Sequence, residues 1–205
     1  HDENLQLGGL MEYKDRLPRE KMMEIIDDLV EMGVKAVTFS GGGEPLIYPY
    51  IAEAVNKLGK SGVKVATLTN GSHLHEDIAK AFAKYGTWIR VSIDGWDAES
   101  YAKIRNVKLS EFDMVINNMR SFANLNSSCV LGVNYVIDNQ NYGHVLDFTK
   151  LMKDTGVNHF KIMGVIVSND GKVSNQYHDE IRGDVQRQID QAKKLEDDKF
   201  KIIDH

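Results

Sequence analysis

Short apolar runs rich in β-branched residues recur along the chain, and each is separated from the next by an amphipathic stretch. The runs occupy residues 34–39, 63–68, 88–93, 129–137 and 159–167. Near-continuous apolar strands of this kind favour a parallel sheet that is covered on both faces. A further strand is expected to begin at residue 201.

The amphipathic stretches carry helix signals. Pro18 stands where the first helix should begin and Gly33 where it should end. Apolar residues that repeat with helical spacing predict core-facing stripes. These are Ile25, Ile26, Leu29 and Val30 or Met32; Ile51, Val55 and Leu58; Ile78, Phe82 and Tyr85; Phe112, Val115, Met119 and Phe122; and Val145, Phe148 and Met152. A last polar helix is predicted over residues 179–197.

Alternating strands and helices predict an α/β fold with a parallel sheet. Five strands are fewer than the eight of a closed TIM barrel, so the chain is either an open doubly wound sheet or part of a barrel. In both architectures, functional residues lie at the carboxyl ends of the strands. We expect one domain over residues 1–205, with the βα units in residues 18–168.

Composition excludes several classes of function. The net charge is −5, which argues against nucleic acid as a partner, and no apolar run approaches the roughly 18 residues of a membrane span. We therefore expect no membrane partner and a cytoplasmic location. Cys129 is the only cysteine, so this chain alone builds neither a disulfide framework nor an all-cysteine metal site.

The first strand leads directly into the sequence SGGGEPL. Gly41, Gly42 and Gly43 allow a ligand to approach the main chain, and Glu44 can bind a cationic group such as an ammonium. A tight βα turn with a solvated acid is the simpler interpretation. A phosphate-binding loop is a third, but the acid and the lack of a nearby lysine argue against it.

Polar residues also end the next strands. Asn70 lies in an Asn-Gly turn, and Ser92 and Asp94 share one side of the third strand, where a hydroxyl and a carboxylate could hold a vicinal diol such as a ribose. Alternatively, Asn70 only forms a turn and the Ser–Asp pair caps a helix. Arg105 could bind a carboxylate, or it could form a salt bridge.

Other polar residues give weaker signals. Asn134 interrupts an apolar strand and needs a partner, either main chain or ligand. His73 and His75 lack a third ligand in the sequence, so we predict no metal site there. Cys129 is expected to be a buried small residue.

Taken together, FSGGGEPL, then TNG, then VSIDG and YAKIR resemble the radical S-adenosylmethionine (radical SAM) superfamily over residues 18–168. The subgroup it most resembles contains peptide maturases and the molybdenum-cofactor cyclase. The resemblance implies a partial (β/α)6 TIM-type barrel whose second to sixth strands are those predicted here. It also implies two cofactors, S-adenosylmethionine and a [4Fe-4S] cluster.

The resemblance implies roles for individual residues. Gly41, Gly42, Gly43 and Glu44 correspond to the element that binds the methionine amino group, while Ser92 and Asp94 correspond to the ribose site. Asn134 would be a polar contact, Asn70 and Arg105 would lie near the methionine end, and Ile166 would neighbour the adenine.

One departure bears on activity. The superfamily holds its cluster with a CxxxCxxC loop after the first barrel strand, and these 205 residues contain no such loop. The sequence begins at His1 without an initiator Met. We therefore expect a truncated core domain in which residues 1–17 follow the cluster loop, and the first strand and the cluster ligands lie upstream. Residues 169–205 would hold the final helix and the start of the next strand.

The implied activity is reductive cleavage of S-adenosylmethionine to a 5′-deoxyadenosyl radical that abstracts hydrogen from a small-molecule or peptide substrate. An electron donor such as flavodoxin or ferredoxin would be a partner. Two alternatives stay open. One is a degenerate, cluster-less barrel that binds a nucleoside or acts as a scaffold. The other is an unrelated barrel aldolase or isomerase, which would need a Schiff-base lysine or a phosphate loop at the strand ends.

Overall fold

Six parallel strands form one sheet in the computed structural model, which describes residues 16–41 and 43–204. The strands are β1 (Ala36–Phe39), β2 (Lys64–Thr69), β3 (Gly86–Ser92), β4 (Val130–Ile137), β5 (His159–Gly164) and β6 (Lys201–Asp204). They pair in chain order, β1 to β6, without a reversal. A doubly wound sheet reverses its strand order, so the sequential order selects the partial barrel.

In the described part of the chain, one α-helix precedes β1 and seven lie between the strands. They are α1 (Arg19–Glu31), α2 (Ile51–Lys60), α3 (Glu76–Tyr85), α4 (Ala98–Arg105), α5 (Ser110–Ala123), α6 (Val145–Thr155), α7 (Gly171–Asp179) and α8 (Arg182–Ala192). Short 3-10 helices occupy Pro45–Ile47, Tyr142–His144 and Lys193–Leu195. Within the described residues, no helix is long and apolar enough to cross a bilayer.

The predicted helix stripes form one core with alternate strand residues. All of the stripe residues of α2, α5 and α6 are buried, and they join a single cluster with Val65, Val91, Val133 and Phe160 from the strands. α1 differs, because Ile26 is buried but Met32 is 71% exposed. The core therefore lies between the helix layer and one face of the sheet, which we call the outer face.

The opposite, inner face of the sheet is only partly buried. It carries Leu68, Arg90, Ser92, Asn134 and Lys161, which alternate along the strands with the core residues. The expectation that the sheet is covered on both faces is therefore wrong for the described residues. Arg90 and Ser92 on β3 and His159 and Lys161 on β5 alternate with buried apolar residues, and such alternation is typical of a strand buried on one face only.

The polar C-terminal region also differs from the prediction. In place of one helix over residues 179–197, α7 ends at Asp179, α8 runs over Arg182–Ala192, and a 3-10 turn follows. Asp170 explains the earlier start, because its side chain accepts a hydrogen bond from the Lys172 N–H and caps α7. The expected strand near residue 201 is confirmed as β6.

Candidate functional site

The carboxyl ends of β1, β2 and β3 enclose a cleft of about 350 Å³. Six of the residues that line it come from the strand-end segments singled out in the sequence: Ser40, Gly41, Gly43, Glu44, Asn70 and Ser92. Arg105 reaches the cleft from the end of α4. Gly42 lies outside the described residues. Because the strands are parallel and paired in chain order, the three segments meet at one end of the sheet.

Glu44 is held in a fixed orientation at the mouth of this cleft. Its Oε1 accepts hydrogen bonds from the Leu46 N–H at 3.0 Å and the Thr69 hydroxyl at 2.5 Å. Its Oε2 accepts one from the Asn70 N–H at 2.7 Å. A carboxylate offers about four acceptor positions, so three protein donors leave one position on Oε2 for a ligand.

Asn70 serves the turn after β2. Its side-chain oxygen accepts from the Ser72 N–H at 2.9 Å and the Ser72 hydroxyl at 2.7 Å. Its main-chain N–H orients Glu44. The side-chain carbonyl of Asn70 is therefore used to stabilise the turn, although the residue also lines the cleft.

Arg105 joins the end of α4 to the end of β3. Its Nη2 donates to the Ser92 carbonyl at 3.0 Å, the Ser92 hydroxyl at 3.3 Å and Asp94 Oδ2 at 3.1 Å. Its Nε is buried and has no hydrogen-bond partner among the described residues. The salt bridge that the sequence left open is thus present, and one guanidinium donor is left unsatisfied beside the cleft.

Asp94 is half-buried and tied to two neighbouring elements. Its Oδ1 accepts from the Val136 N–H on β4 at 3.4 Å, while Oδ2 accepts from Arg105. Burial raises the pKa of this carboxyl, and the Arg105 charge offsets part of that rise. Each oxygen keeps a second lone pair, so Asp94 can still accept from a ligand hydroxyl.

The structure places the remaining predicted residues differently. Asn134 lies on the inner face and pairs in register with Ser92, next to the cleft. Ile166 does not lie on a strand, because β5 ends at Gly164, and its side chain is 76% exposed. It is not among the residues that line the cleft.

The histidine pair and the cysteine lie at opposite ends of the sheet. His73 and His75 lie with ring centroids 6.0 Å apart, and His73 Nδ1 contacts the Ser72 hydroxyl. Cys129 precedes β4, at the opposite end of the sheet from the cleft, and burial raises the pKa of its thiol to about 12. Within residues 16–41 and 43–204, no three His, Cys, Asp or Glu side chains are grouped to hold a metal ion.

Two residues that sequence analysis missed support the site. Thr69 is 5% exposed and bonds both Glu44 and the Gly71 N–H. Asn141 is 1% exposed, and its side-chain amide donates to the carbonyls of Asp94 at 3.1 Å and Val136 at 2.8 Å. Thr69 follows the two-residue alternation of buried side chains along β2, and this pattern could have identified it. Asn141 lies in a loop, where no such pattern exists.

Comparison with known proteins adds independent evidence. The profile of the Radical SAM superfamily matches residues 8–152. A curated S-adenosylmethionine-dependent nucleotide dehydratase of Flammeovirga pacifica is 28% identical over 162 residues, which cover 78% of this chain and 56% of that protein. A probable GTP 3′,8-cyclase of Saccharolobus islandicus (strain M.14.25 / Kamchatka #1) is 26% identical over 167 residues, which cover 81% and 53%. The chain thus spans about half the length of these relatives.

Solved structures agree on the fold. Streptococcus suis SuiB bound to S-adenosylmethionine matches with a TM-score of 0.67 at 16% identity, over 93% of this chain and 45% of SuiB. Identity at this level speaks for the fold alone. Together with the sequential parallel sheet, the match confirms the expected partial barrel.

Proposed function

Since the chain belongs to the radical SAM superfamily, we propose that its cleft binds S-adenosylmethionine and that the chain is part of an enzyme. The observation that carries this proposal is Glu44, a carboxylate oriented by three protein donors with one acceptor position left on Oε2. When bound and reduced, the cofactor supplies a 5′-deoxyadenosyl radical for hydrogen abstraction from a substrate.

The described residues fit this cofactor. Glu44 would accept from its ammonium group, and the adjacent turn, with Gly41 and Gly43, leaves main-chain groups accessible. The buried, unsatisfied Nε of Arg105 would donate to its carboxylate. Ser92 and Asp94 would hold the ribose hydroxyls, with Asn134 beside them on β4. These residues bind and orient; the redox chemistry belongs to the cofactor.

The described residues do not fit an iron–sulfur cluster. Cys129 is buried away from the cleft with a raised thiol pKa, and cluster ligands are thiolates. No residue of this chain is therefore given a role in the chemistry of a cluster. Substrate, electron donor and cluster ligands remain expectations from the superfamily.

The lone cysteine also favours a second candidate, a cluster-less module that binds a nucleoside. Both candidates use the same cleft, so binding alone does not separate them. The coding sequence upstream of His1 distinguishes the two candidates. A CxxxCxxC loop there supports the enzyme, and a continuous coding sequence without one supports the binding module.

The cofactor site is tested by titrating S-adenosylmethionine into the isotopically labelled chain and following backbone amide shifts by NMR. We expect the shifts to concentrate at Glu44, Asn70 and Ser92. Glu44→Gln keeps the shape but removes the charge. A charge-assisted hydrogen bond contributes about 1.5–3 kcal/mol, so affinity should fall about tenfold to a hundredfold.

Glu53→Gln is the matched control, because Glu53 pairs with Arg19 on the exposed helix layer. It should bind the cofactor like the wild type, whereas Asp94→Ala should bind more weakly. If Glu44→Gln and Glu53→Gln bind equally well, or if the shifts fall at another surface, this cleft is not the cofactor site.

A further inference from the structure

Three cationic or titratable side chains lie together on the inner face of the sheet, away from the helices. Arg90 is on β3, and His159 and Lys161 are on β5. The two-residue alternation places them on the same face as Ser92 and Asn134. We call Arg90, His159 and Lys161 the basic cluster.

Gly132 allows the cluster to form. It lies on β4 between the others, paired in register with Arg90 on one side and His159 on the other. A Cβ atom at this position would overlap the imidazole of His159. The missing side chain lets that ring lie across β4, towards β3 and Arg90.

Two nitrogen atoms of the cluster have unmet hydrogen-bonding capacity. Arg90 Nε and His159 Nε2 are buried and have no partner among residues 16–41 and 43–204. Together with Arg105 Nε in the cofactor cleft, they are the only such side-chain atoms in this part of the chain. Buried unpaired polar groups are costly and rare, so a bound group that pairs with them would be favourable.

The charges of the cluster point to an anion. The pKa of His159 is lowered by burial and by the positive charges of Arg90 and Lys161. Lys201 on β6, the register partner of His159, adds another cation at the exposed side. The guanidinium of Arg90 also lies 5.3 Å from the Trp88 ring, which fixes its position without neutralising it.

The cluster adjoins the proposed cofactor site. Lys161 pairs in register with Asn134, and Asn134 pairs with Ser92, which lines the cleft. A molecule held by the cluster would therefore lie on the inner face beside the cofactor. Acidic Glu44 and Asp94 stand at the cofactor end of this face, and the cations stand further inside.

We propose that the basic cluster binds the phosphate groups of the substrate, an inference that rests on the proposed function because it places substrate beside the cofactor. Arg90 and His159 are two strands apart, about 10 Å at the usual strand spacing, and Lys161 is one pleat further along β5. The His159 ring lies over Gly132, so it is closer to Arg90 than this backbone spacing. Arg90, Lys161 and the neighbouring Lys201 together carry more positive charge than one carboxylate neutralises, whereas two or three linked phosphates match it. Arginine and lysine side chains are also the usual phosphate ligands in proteins.

Pyrophosphate is the probe, and NMR of the labelled chain is the readout. We expect saturable shifts in the ring resonances of His159 and a rise in its pKa, because a bound anion favours the imidazolium form. Lys161→Gln, at a partly exposed position, should weaken binding about tenfold or more. Arg90→Gln should do the same, with thermal unfolding used to check that the variant is folded.

Two controls keep the test specific. Lys60→Gln removes the same charge from the exposed end of α2 and should bind pyrophosphate like the wild type. Citrate, a carboxylate of comparable charge, should bind at least tenfold more weakly than pyrophosphate. Equal weakening by Lys161→Gln and Lys60→Gln, equal binding of citrate, or no shift at His159 would each overturn the proposal.

The pyrophosphate titration and the cofactor titration can fail independently of each other. Pyrophosphate binding is measured without S-adenosylmethionine, so failure of the cofactor titration alone would refute the cleft and leave the basic cluster as an anion site. Loss of pyrophosphate binding with an intact cofactor titration would refute only the basic cluster.

Discussion

At the scale of single residues, Thr69 connects stability to the candidate site. Its hydroxyl donates to the Glu44 carboxylate and accepts from the Gly71 N–H. Thr69→Val keeps the shape but leaves the Gly71 N–H without this acceptor and removes one of the three donors to Glu44, so we expect the free energy of unfolding to fall by about 1–3 kcal/mol. Cofactor affinity should also decrease, because Glu44 loses one of the donors that orient it. Urea unfolding and the cofactor titration measure the two effects.

Thr67→Val is the matched comparison for this residue. Thr67 is fully buried on the same strand and donates to the Phe39 carbonyl at 3.1 Å, a bond between neutral groups. Its loss should cost about 0.5–1.5 kcal/mol and leave cofactor affinity unchanged. A Thr69→Val variant that is no less stable than Thr67→Val and binds as well would contradict the role assigned to Thr69.

The sequence predicts site residues only where residue type and strand position coincide. Glu44, Ser92 and Asp94 are predicted as candidates because acids and hydroxyls stand at the ends of apolar strands, and the structure places them at one end of the sheet. Asn141 could not be found, since its contacts to Asp94 after β3 and to Val136 on β4 depend on the path of the loop after β4. Ile166 was placed on a strand because its neighbours are apolar, yet β5 ends before it.

At the scale of elements, α4 carries Arg105 to the cleft and begins with a capping box. The Asp97 side chain accepts from the Ser100 N–H, and the Ser100 hydroxyl accepts from the Asp97 N–H. Asp97→Ala should lower the free energy of unfolding by about 1 kcal/mol. It should also weaken cofactor binding, because a frayed α4 holds Arg105 less firmly against Ser92 and Asp94.

Asp170→Ala separates these two effects. Asp170 caps α7, and neither it nor that helix lines the cleft. The variant should lose comparable stability in thermal or urea unfolding and bind the cofactor like the wild type. If both variants bind equally well, α4 does not position Arg105 in the way described.

Element prediction succeeded where apolar periodicity is strong. The stripes of α2, α5 and α6 are buried as expected, because each packs on the outer face of the sheet. The region after residue 169 was less predictable. α7 contains no buried residue, so a local side-chain cap, rather than an apolar stripe, marks where it starts.

At the scale of the whole molecule, the alternation of strands and helices predicts the parallel sheet but not which face is covered. The decision between an open sheet and a partial barrel depends on strand order, which no local pattern encodes. The inner face was misjudged because its polar residues, such as Arg90 and Lys161, are interspersed with core residues in otherwise apolar runs. Those same polar residues form the proposed phosphate site.

The single cysteine determines how this chain should behave towards iron. A [4Fe-4S] cluster of this superfamily needs three thiolates, and the 205 residues contain one cysteine. Cys129 is 4% exposed, and its thiol pKa of about 12 keeps it protonated at neutral pH. It is therefore unsuited even as a single ligand.

Anaerobic reconstitution of the 205-residue chain with iron and sulfide should consequently give no [4Fe-4S] absorption after desalting. Cys129→Ser should behave identically, because the thiol takes no part. A radical SAM protein with an intact CxxxCxxC loop, treated in parallel, confirms that the reconstitution conditions work. Stoichiometric cluster uptake by the wild-type chain would mean that residues other than cysteine hold iron here. The assignment of all cluster ligands to sequence outside this chain would then be wrong, whereas the cofactor cleft at Glu44, which uses no cysteine, would be unaffected.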